Sequence, residues 1–361
     1  MFNSLRKALN FSDPKPKKVP FVPPTVIVHP RDFNIRIPLL RIPDLALREI
    51  LRCLDPVELY FLSACSKRTS RAISFSDSRK FTFRLHAGVG DVDINEDFTF
   101  IVTHKTEKDY SPTCFQVPSL ERCVIEYKLN DNFVRFVYPE NDLENFSTVV
   151  HHLQNIFKCA ITSFKYFRVI DKNWFQMFKS IMEYQTTPLD YMTLSVNIKK
   201  EELEWVTENI KVTDYLELIT NGAKPFEFDF SIECKKLFVR STFLIDTRNL
   251  LRLKTCTSVK LLDSQLTLKD LDLFMRKWVE GCFPKLVYMS IDSQGFKDNH
   301  QIYGFWRQDI GLINGRERRQ NINHPNGTEC FGGVEIRAND GTRAIMQMSE
   351  SDVFKLFVLE N

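Results

Sequence analysis

The sequence predicts a protein of the α+β or α/β class, in which a small helical module precedes a larger strand-and-helix domain that ends in a β-hairpin. Leu-rich helical patterns fill residues 37–74 and stop there. From about residue 80 onward, apolar residues alternate two apart, as they do in strands. With 361 residues, the chain is long enough for a small module and a larger domain.

Composition indicates a folded, soluble protein and gives no support to nucleic-acid binding. Hydrophobic residues make up 43% of the chain and charged residues 26%. The 31 Phe residues favour a large core closed by aromatic rings. The formal net charge is only +3, because 46 acidic residues interleave with 49 Lys and Arg residues. A basic patch for nucleic acid is therefore not expected.

The cysteines predict a reducing compartment. Their odd number, nine, and the lack of any Cys-x-x-Cys argue against a complete disulfide framework. We therefore expect reduced thiols in a cytoplasmic or nuclear protein. No apolar run approaches the roughly 20 residues needed to span a bilayer, so no membrane partner is expected. The cysteines are Cys53, Cys65, Cys114, Cys123, Cys159, Cys234, Cys256, Cys282 and Cys330.

Changes in composition and periodicity predict four regions. Residues 1–35 are rich in Pro and polar groups, so they are expected to be a disordered tail. Residues 36–75 form the helical module. Residues 76–185 mix strand and helix patterns, either as a linker region or as the first part of the C-terminal domain. Residues 186–361 form that domain.

The first predicted helix of the module carries an apolar stripe. Asp44 follows Pro43 and suits the N-cap position. The stripe has the spacing of one helix face, and charged residues occupy the opposite face. The residues of the stripe are Leu47, Ile50, Leu51 and Leu54.

A second predicted helix follows at once. Asp55, Pro56 and Glu58 supply an N-cap, a Pro at the first helical position and the acidic residue of a capping box. Leu59 and Leu62 lie on one face of this helix. Helices this short cannot bury their apolar stripes alone. Either the rest of the chain or the groove of a partner protein must cover them.

The order of these features resembles the F-box. Ile42-Pro43 matches its Leu-Pro opening, Asp55-Pro56 its turn and Ser66-Lys67-Arg68 its Ser-Lys-Arg. The resemblance spans residues 37–74. It implies that this module binds a Skp-family adaptor, which connects the chain to a cullin.

The resemblance also implies which residues contact the adaptor or orient the helices. Two positions depart from the family pattern: Leu45 stands where many F-boxes carry Glu, and Thr69 stands where many carry Trp. Both departures bear on adaptor affinity. The implied adaptor-contacting or helix-orienting residues are Leu39, Leu40, Pro43, Leu45, Ile50, Leu51, Leu54, Leu59 and Leu62.

Short strand-like runs recur in the middle third of the chain. Successive intervals are 24, 22, 22 and 28 residues, close to the period of leucine-rich-repeat solenoids, when measured between Tyr191, Tyr215, Leu237, Val259 and Val287. The Leu-x-x-Leu-x-Leu consensus is not cleanly present, and an ordinary α/β layer has similar spacing, so both architectures stay open. The runs are Tyr191–Val196, Tyr215–Thr220, Lys236–Ser241, Ser258–Asp263 and Leu286–Ile291.

The C-terminal region resembles the type 2 F-box-associated domains that follow F-boxes in nematode families. The likeness lies in Ser264–Leu271, in Lys277-Trp278-Val279 with Gly281, and in the closing piece Gly333–Ala344. It covers roughly residues 190–355. It implies binding of a protein target without naming that target.

Local signals in this region agree with the resemblance. Ser264 or Thr267 can begin a helix, and Gly281 suits its left-handed stop. Asn339-Asp340-Gly341 suits a reversal between two strands. The predicted buried face of the helix consists of Leu268, Leu271, Phe274, Met275 and Trp278.

Enzyme classes lose their usual support. No phosphate-binding glycine motif and no Gly-x-Ser-x-Gly occurs. His151 and His152 are adjacent and point in different directions on a helix, so we expect surface or cap positions and no shared metal. No catalytic residue, cofactor or metal site is predicted.

The sequence therefore predicts a non-catalytic subunit of a Skp-cullin-F-box ubiquitin ligase that selects substrates for degradation. It would dock the adaptor through the F-box and a protein target through the C-terminal domain. The alternative is a repeat scaffold whose helical segment packs on its own chain. An unrecognised enzyme in the C-terminal domain is the least favoured hypothesis.

Overall fold

The structure, a computed structural model, divides the chain into two compact units. One comprises Met1–Phe83 and Val92–Ala160, and the other comprises Arg84–Asp91 and Ile161–Asn361. The predicted tail, 1–35, lies outside the described residues. These are 41–75, 81–104, 114–116, 120, 123–127, 133–138, 143–167, 173–183, 185–220, 233–240, 245–297, 299–310, 333–349 and 351–359.

Three short helices open the first unit, as the Leu-rich patterns predict. They are α1 (Asp44–Arg52), α2 (Pro56–Cys65) and α3 (Lys67–Phe75). The predicted capping box of α2 is present. The Glu58 amide donates to the Asp55 carboxylate at 2.7 Å, and the Asp55 amide donates to the Glu58 carboxylate at 3.2 Å. This pairing sets the turn between α1 and α2.

A small mixed sheet and one long helix complete the first unit. In the sheet, β3 runs parallel to β6, and β5 runs antiparallel to both β6 and β4. The helix buries residues along its whole length, including Val149 and Leu153. The elements are β1 (Phe83–His86), which spans the boundary between the units, β2 (Asp91–Ile94), β3 (Phe98–His104), β4 (Cys114–Gln116), β5 (Val124–Tyr127), β6 (Phe133–Tyr138) and α4 (Leu143–Phe157).

The second unit alternates strands and helices and ends in antiparallel strands. This confirms the predicted α+β class and the C-terminal hairpin. Its elements are β7 (Ile161–Tyr166), α5 (Trp174–Met182), β8 (Leu189–Ser195), α6 (Lys200–Asn209), β9 (Val212–Ile219), β10 (Lys236–Arg240), α7 (Thr247–Leu250), β11 (Ser258–Ser264), α8 (Leu268–Val279), β12 (Tyr288–Ser293), β13 (Val334–Arg337), β14 (Arg343–Met348) and β15 (Val353–Val358).

Six strands of the second unit, β7 to β12, lie side by side in chain order. Each pairs with the next in parallel, and β15, β14 and β13 then extend the sheet antiparallel. Five of the six parallel strands, β8 to β12, were predicted as runs. Because the order of β7 to β12 never reverses, these strands do not form a doubly wound sheet. This is the arrangement that a one-strand, one-helix repeat produces.

The parallel strands have one fully buried face. The apolar residues that face the helices are at most 8% exposed and recur mostly at every second position, as Phe164, Leu216 and Val259 do. The Phe164 ring lies 4.8 Å from the Phe178 ring of α5, centroid to centroid. The helices therefore cover this face, and we call the opposite one the open face.

Helix α8 begins and ends as predicted. Thr267 caps its start, and the Thr267 amide donates to Asp270 at 2.8 Å. The Gly281 amide donates to the Trp278 carbonyl at 2.9 Å and the Cys282 amide to the Lys277 carbonyl at 3.0 Å, the two bonds of a Schellman motif. All five residues predicted for its buried face are buried.

Two further local predictions concern the last hairpin and the thiols. Gly341 adopts a φ of 92° in the turn between β13 and β14, where the sequence predicts the reversal. Among the described cysteines all are free thiols. Cys123, Cys159, Cys234 and Cys256 are buried, which fits their use as small core residues.

Gly281 offers a test of the α8 terminus. Its φ is +84°, and a Cβ there meets no atom within 4 Å, so the cost of a side chain comes from the backbone alone. Gly281→Ala is expected to lower the free energy of unfolding by about 1 kcal/mol. Gly281→Asn should cost less, because Asn tolerates the left-handed region. Urea denaturation measures both, and an equal cost for the two variants contradicts the assignment.

Candidate functional site

The predicted adaptor-contacting residues of α1 fall into two groups. Leu51 is only 2% exposed and packs inside the first unit. Leu45 is 74% exposed and Pro43 is also exposed, while Ile50 is half-buried. Helix α1 therefore packs some of its apolar residues against its own chain and exposes others to solvent. We call Pro43, Leu45 and Ile50 the outer edge of α1.

The remaining predicted site residues are structural in the chain as it stands. Leu54, Leu59 and Leu62 are at most 8% exposed. They fit the predicted helix-orienting role, since burial on this chain leaves little of their surface for another protein. Leu39 and Leu40 lie outside the described residues.

Tyr60, which the sequence analysis did not single out, anchors α2. It is fully buried, and its ring meets three others edge-on within the first unit: Phe100 at 5.5 Å, Phe136 at 5.6 Å and His152 at 5.9 Å between centroids. A signal was present in the sequence, because α2 is apolar around most of its circumference. A helix of that kind is buried on more than one side.

Helix α3 begins at a Ser-Thr cap. The Thr69 amide donates to the Ser66 hydroxyl at 3.1 Å, and the Thr69 hydroxyl donates to the Ser66 carbonyl at 2.8 Å. Thr69 is buried, although it stands where many F-boxes carry Trp. Thr69 therefore packs within its own chain and leaves little surface for a partner. Phe75, at the end of α3, is exposed.

The rings of Phe100, Phe136 and His152, on which Tyr60 packs, form a buried base under α2. Burial shifts the pKa values of the titratable groups there. Burial lowers the pKa of His152 to about 4 and raises that of the Cys123 thiol to about 11. Burial also raises the pKa of Tyr60 and, at the edge of the base, that of Asp55. His152 was expected at the surface or a cap; it is half-buried instead, with its ring against Tyr60. The neutral forms of these groups are favoured, as in a protein core.

The second unit holds a cleft of about 330 Å³ between α6 and strands β8 and β9. Its walls include Met192, Leu203 and Leu216. Within the described ranges, no three His, Cys, Asp or Glu residues come together in a way that could hold a metal ion. In the same part of the chain, no helix combines the length and apolar character needed to cross a membrane.

Comparison with known proteins finds two family matches, in different parts of the chain. Residues 39–81, which include α1 to α3, match the F-box domain family, and residues 226–291 match the F-box associated family. The second match contains β10, α7, β11 and α8 and most of β12. The chain is 21% identical over 327 residues to a Caenorhabditis elegans protein named Skn-1 dependent zygotic transcript 15 protein. That alignment covers 85% of this chain and 92% of the relative. No solved structure matches the chain.

Substitution of Tyr60 tests whether α2 packs on the first unit in solution. Tyr60→Ala is expected to lower the free energy of unfolding by about 3–5 kcal/mol, because it leaves a cavity among rings. The Tyr60 hydroxyl is buried without a hydrogen-bond partner among the described residues. Tyr60→Phe should therefore leave stability unchanged or raise it by about 1 kcal/mol. Phe75→Ala, at an exposed ring, is the control, and similar losses for both alanine variants contradict the packing.

His152 predicts a pH dependence of stability. Its pKa falls from 6.5 to about 4 on folding, so the unfolded state binds more protons between these values. The free energy of unfolding should therefore fall as pH drops from about 6.5 to about 4, by up to about 3 kcal/mol for the full shift. Urea denaturation at several pH values, with His152→Gln as reference, isolates this contribution. Parallel pH profiles for the two proteins count against a buried neutral imidazole.

Proposed function

We propose that this chain, which carries an F-box followed by an F-box-associated domain, is the substrate-recognition subunit of a Skp-cullin-F-box ubiquitin ligase. The F-box docks a Skp-family adaptor, and the second unit holds a protein target. The chain contributes placement to ubiquitin transfer, since holding two reactants together accelerates their reaction without added catalytic groups. It acts in the cytoplasm, the nucleus or both.

The outer edge of α1 carries the adaptor proposal. Leu45 exposes 74% of its surface on α1, inside the segment that matches the F-box domain. An exposed Leu on an ordered helix is an anchor that a partner can bury without ordering a flexible segment first. Pro43, just before α1, is also exposed, and Ile50 remains partly accessible.

The buried base under α2 supports the same proposal. A substrate-recognition subunit needs its adaptor-binding helix fixed to the rest of its own unit. The α2 helix is held by Tyr60 and by the Asp55–Glu58 capping box, so α1 sits on an element fixed to the first unit. A fixed docking element favours productive placement over a tethered one.

The scaffold hypothesis has one specific observation in its favour. Much of the apolar stripe predicted for the adaptor, including Leu51, Leu54 and Leu59, is covered by this chain. A scaffold needs no partner at α1, whereas an adaptor-binding F-box needs one at Leu45. Adaptor binding by Leu45 variants therefore separates the two hypotheses.

Leu45→Ala is expected to weaken adaptor binding by about tenfold or more, since a Leu buried at an interface contributes roughly 1.5–3 kcal/mol. The melting temperature should not change, because Leu45 packs against little of its own chain. Isothermal titration calorimetry with a purified Skp-family adaptor measures the affinity.

Val89→Ala is the matched control, because Val89 is an apolar residue, 68% exposed, outside the F-box segment. It should leave adaptor affinity unchanged. If the natural chain does not bind the adaptor, or if Leu45→Ala binds as tightly as the natural chain, the adaptor proposal is wrong.

A further inference from the structure

The open face of the second unit carries a patch of uncovered side chains on β9, β10 and β11. The strand register places Tyr215, Lys236 and Ser258 in one row across the sheet and Glu217, Phe238 and Lys260 in the next. All six are at least partly exposed. We call this set, together with Arg240 at the end of β10, the basic sheet patch.

No described carboxylate pairs with the three cations of the basic sheet patch. Lys236, Arg240 and Lys260 form no ion pair with any residue that the structure describes. The Lys260 ammonium lies 5.4 Å from the centroid of the Phe238 ring, a cation–π contact that adds no negative charge. Their positive charge therefore remains available to a ligand.

Nearby acidic groups are already engaged within the sheet. The Thr193 hydroxyl donates to the Glu217 carboxylate at 3.2 Å. The Asp214 carboxylate accepts from the Tyr191 hydroxyl, which raises the pKa of Tyr191, and lies 3.8 Å from the Lys235 ammonium. Asp214 is thus close to a cation, whereas Glu217 keeps its charge, because a hydroxyl donor is neutral. Among its described residues, the basic sheet patch therefore has three cations and one carboxylate.

Aromatic rings extend the patch on one side. Tyr191 is 43% exposed, and its ring centroid lies 6.4 Å from that of Tyr215 on the adjacent strand. Exposed Tyr rings supply rigid contact area at low entropic cost, which is why they are enriched where proteins bind peptides and other proteins. The patch therefore offers both charge and apolar contact.

We propose that the basic sheet patch binds an acidic, extended segment of the target protein. This inference rests on the proposed function, because it names the class of target that the second unit holds. Lys236 and Arg240 are four residues apart on one strand, a span of about 13 Å. Carboxylates two residues apart along an extended peptide recur every 6–7 Å or so, so a short acidic segment can meet both cations and Lys260.

A nucleic acid fits the patch less well than a peptide. Asp263 lies near the end of β11 and Asp292 lies on the adjacent strand β12. The pKa of Asp292 is raised by burial and by the charges of Asp263 and Asp352. A long polyanion that continued across the sheet would meet these carboxylates. A short segment that lies along β10 meets Lys236 and Arg240 without crossing to β12.

Selection from a display library of random 12-residue peptides tests the inference on the full chain. The selected peptides should be enriched in Asp and Glu over Lys and Arg. They should bind about tenfold more weakly, or not at all, to the variant Lys236→Glu, Arg240→Glu, Lys260→Glu. Their affinity should also fall as ionic strength rises, since salt screens exposed charges.

The matched control reverses three exposed lysines elsewhere in the same region: Lys254→Glu, Lys269→Glu and Lys285→Glu. It has the same net charge as the triple variant and should keep the binding of the natural chain. The inference is overturned if no peptide is selected, if acidic residues are not enriched, or if both triple variants lose binding alike. Tighter binding of single-stranded RNA than of any selected peptide overturns it too.

Adaptor binding is measured in parallel on the natural chain and both triple variants. All three should bind the adaptor equally, because the changed residues lie in the second unit and α1 in the first. Loss of peptide selectivity with adaptor binding intact refutes the acidic-segment inference alone. Failure of the natural chain to bind the adaptor refutes the proposed function, whatever peptides are selected.

Discussion

The burial of Tyr60 is the constraint on which the helical module depends. Three helices of nine or ten residues bury too little surface to be stable alone. Tyr60 places α2 against the rings of Phe100 and Phe136, so that the sheet of the first unit supplies the missing core. Once α2 is fixed, the capping box at Asp55 sets the turn that connects α1 to it.

In the second unit, the equivalent constraint is the alternation of side chains along parallel strands. Every second residue of β7 to β12 must face the helices, and those residues are apolar and buried. Some intervening residues, such as Thr193 and Ser290, are buried as well, and others are exposed. They can carry charge, as Lys236 and Lys260 do, without any cost to the core. One face holds the unit together, and the other is exposed in part, on β9, β10 and β11.

Local sequence signals predicted the elements better than they predicted the roles of individual residues. The start of α8 at Thr267, its stop at Gly281 and the turn at Gly341 follow from chemistry within a few residues, and all three are present. The adaptor-contacting set was harder, because a periodic stripe does not tell which protein covers it. Leu51 and Leu45 both belonged to that set, yet one is buried and the other exposed.

By itself, the sequence determined the order of elements, the α+β class, the strand period and the likeness to an F-box and its associated domain. These features depend on residue spacing and on hydrogen bonds between residues close in sequence, and both can be predicted from the sequence. Only the tertiary structure decided that Tyr60 anchors α2, and that Lys236 and Lys260 stand on adjacent strands. Such neighbours are separated by 22 or more residues, so their meeting depends on strand register and on packing between elements. Neither is encoded in any local run of the sequence.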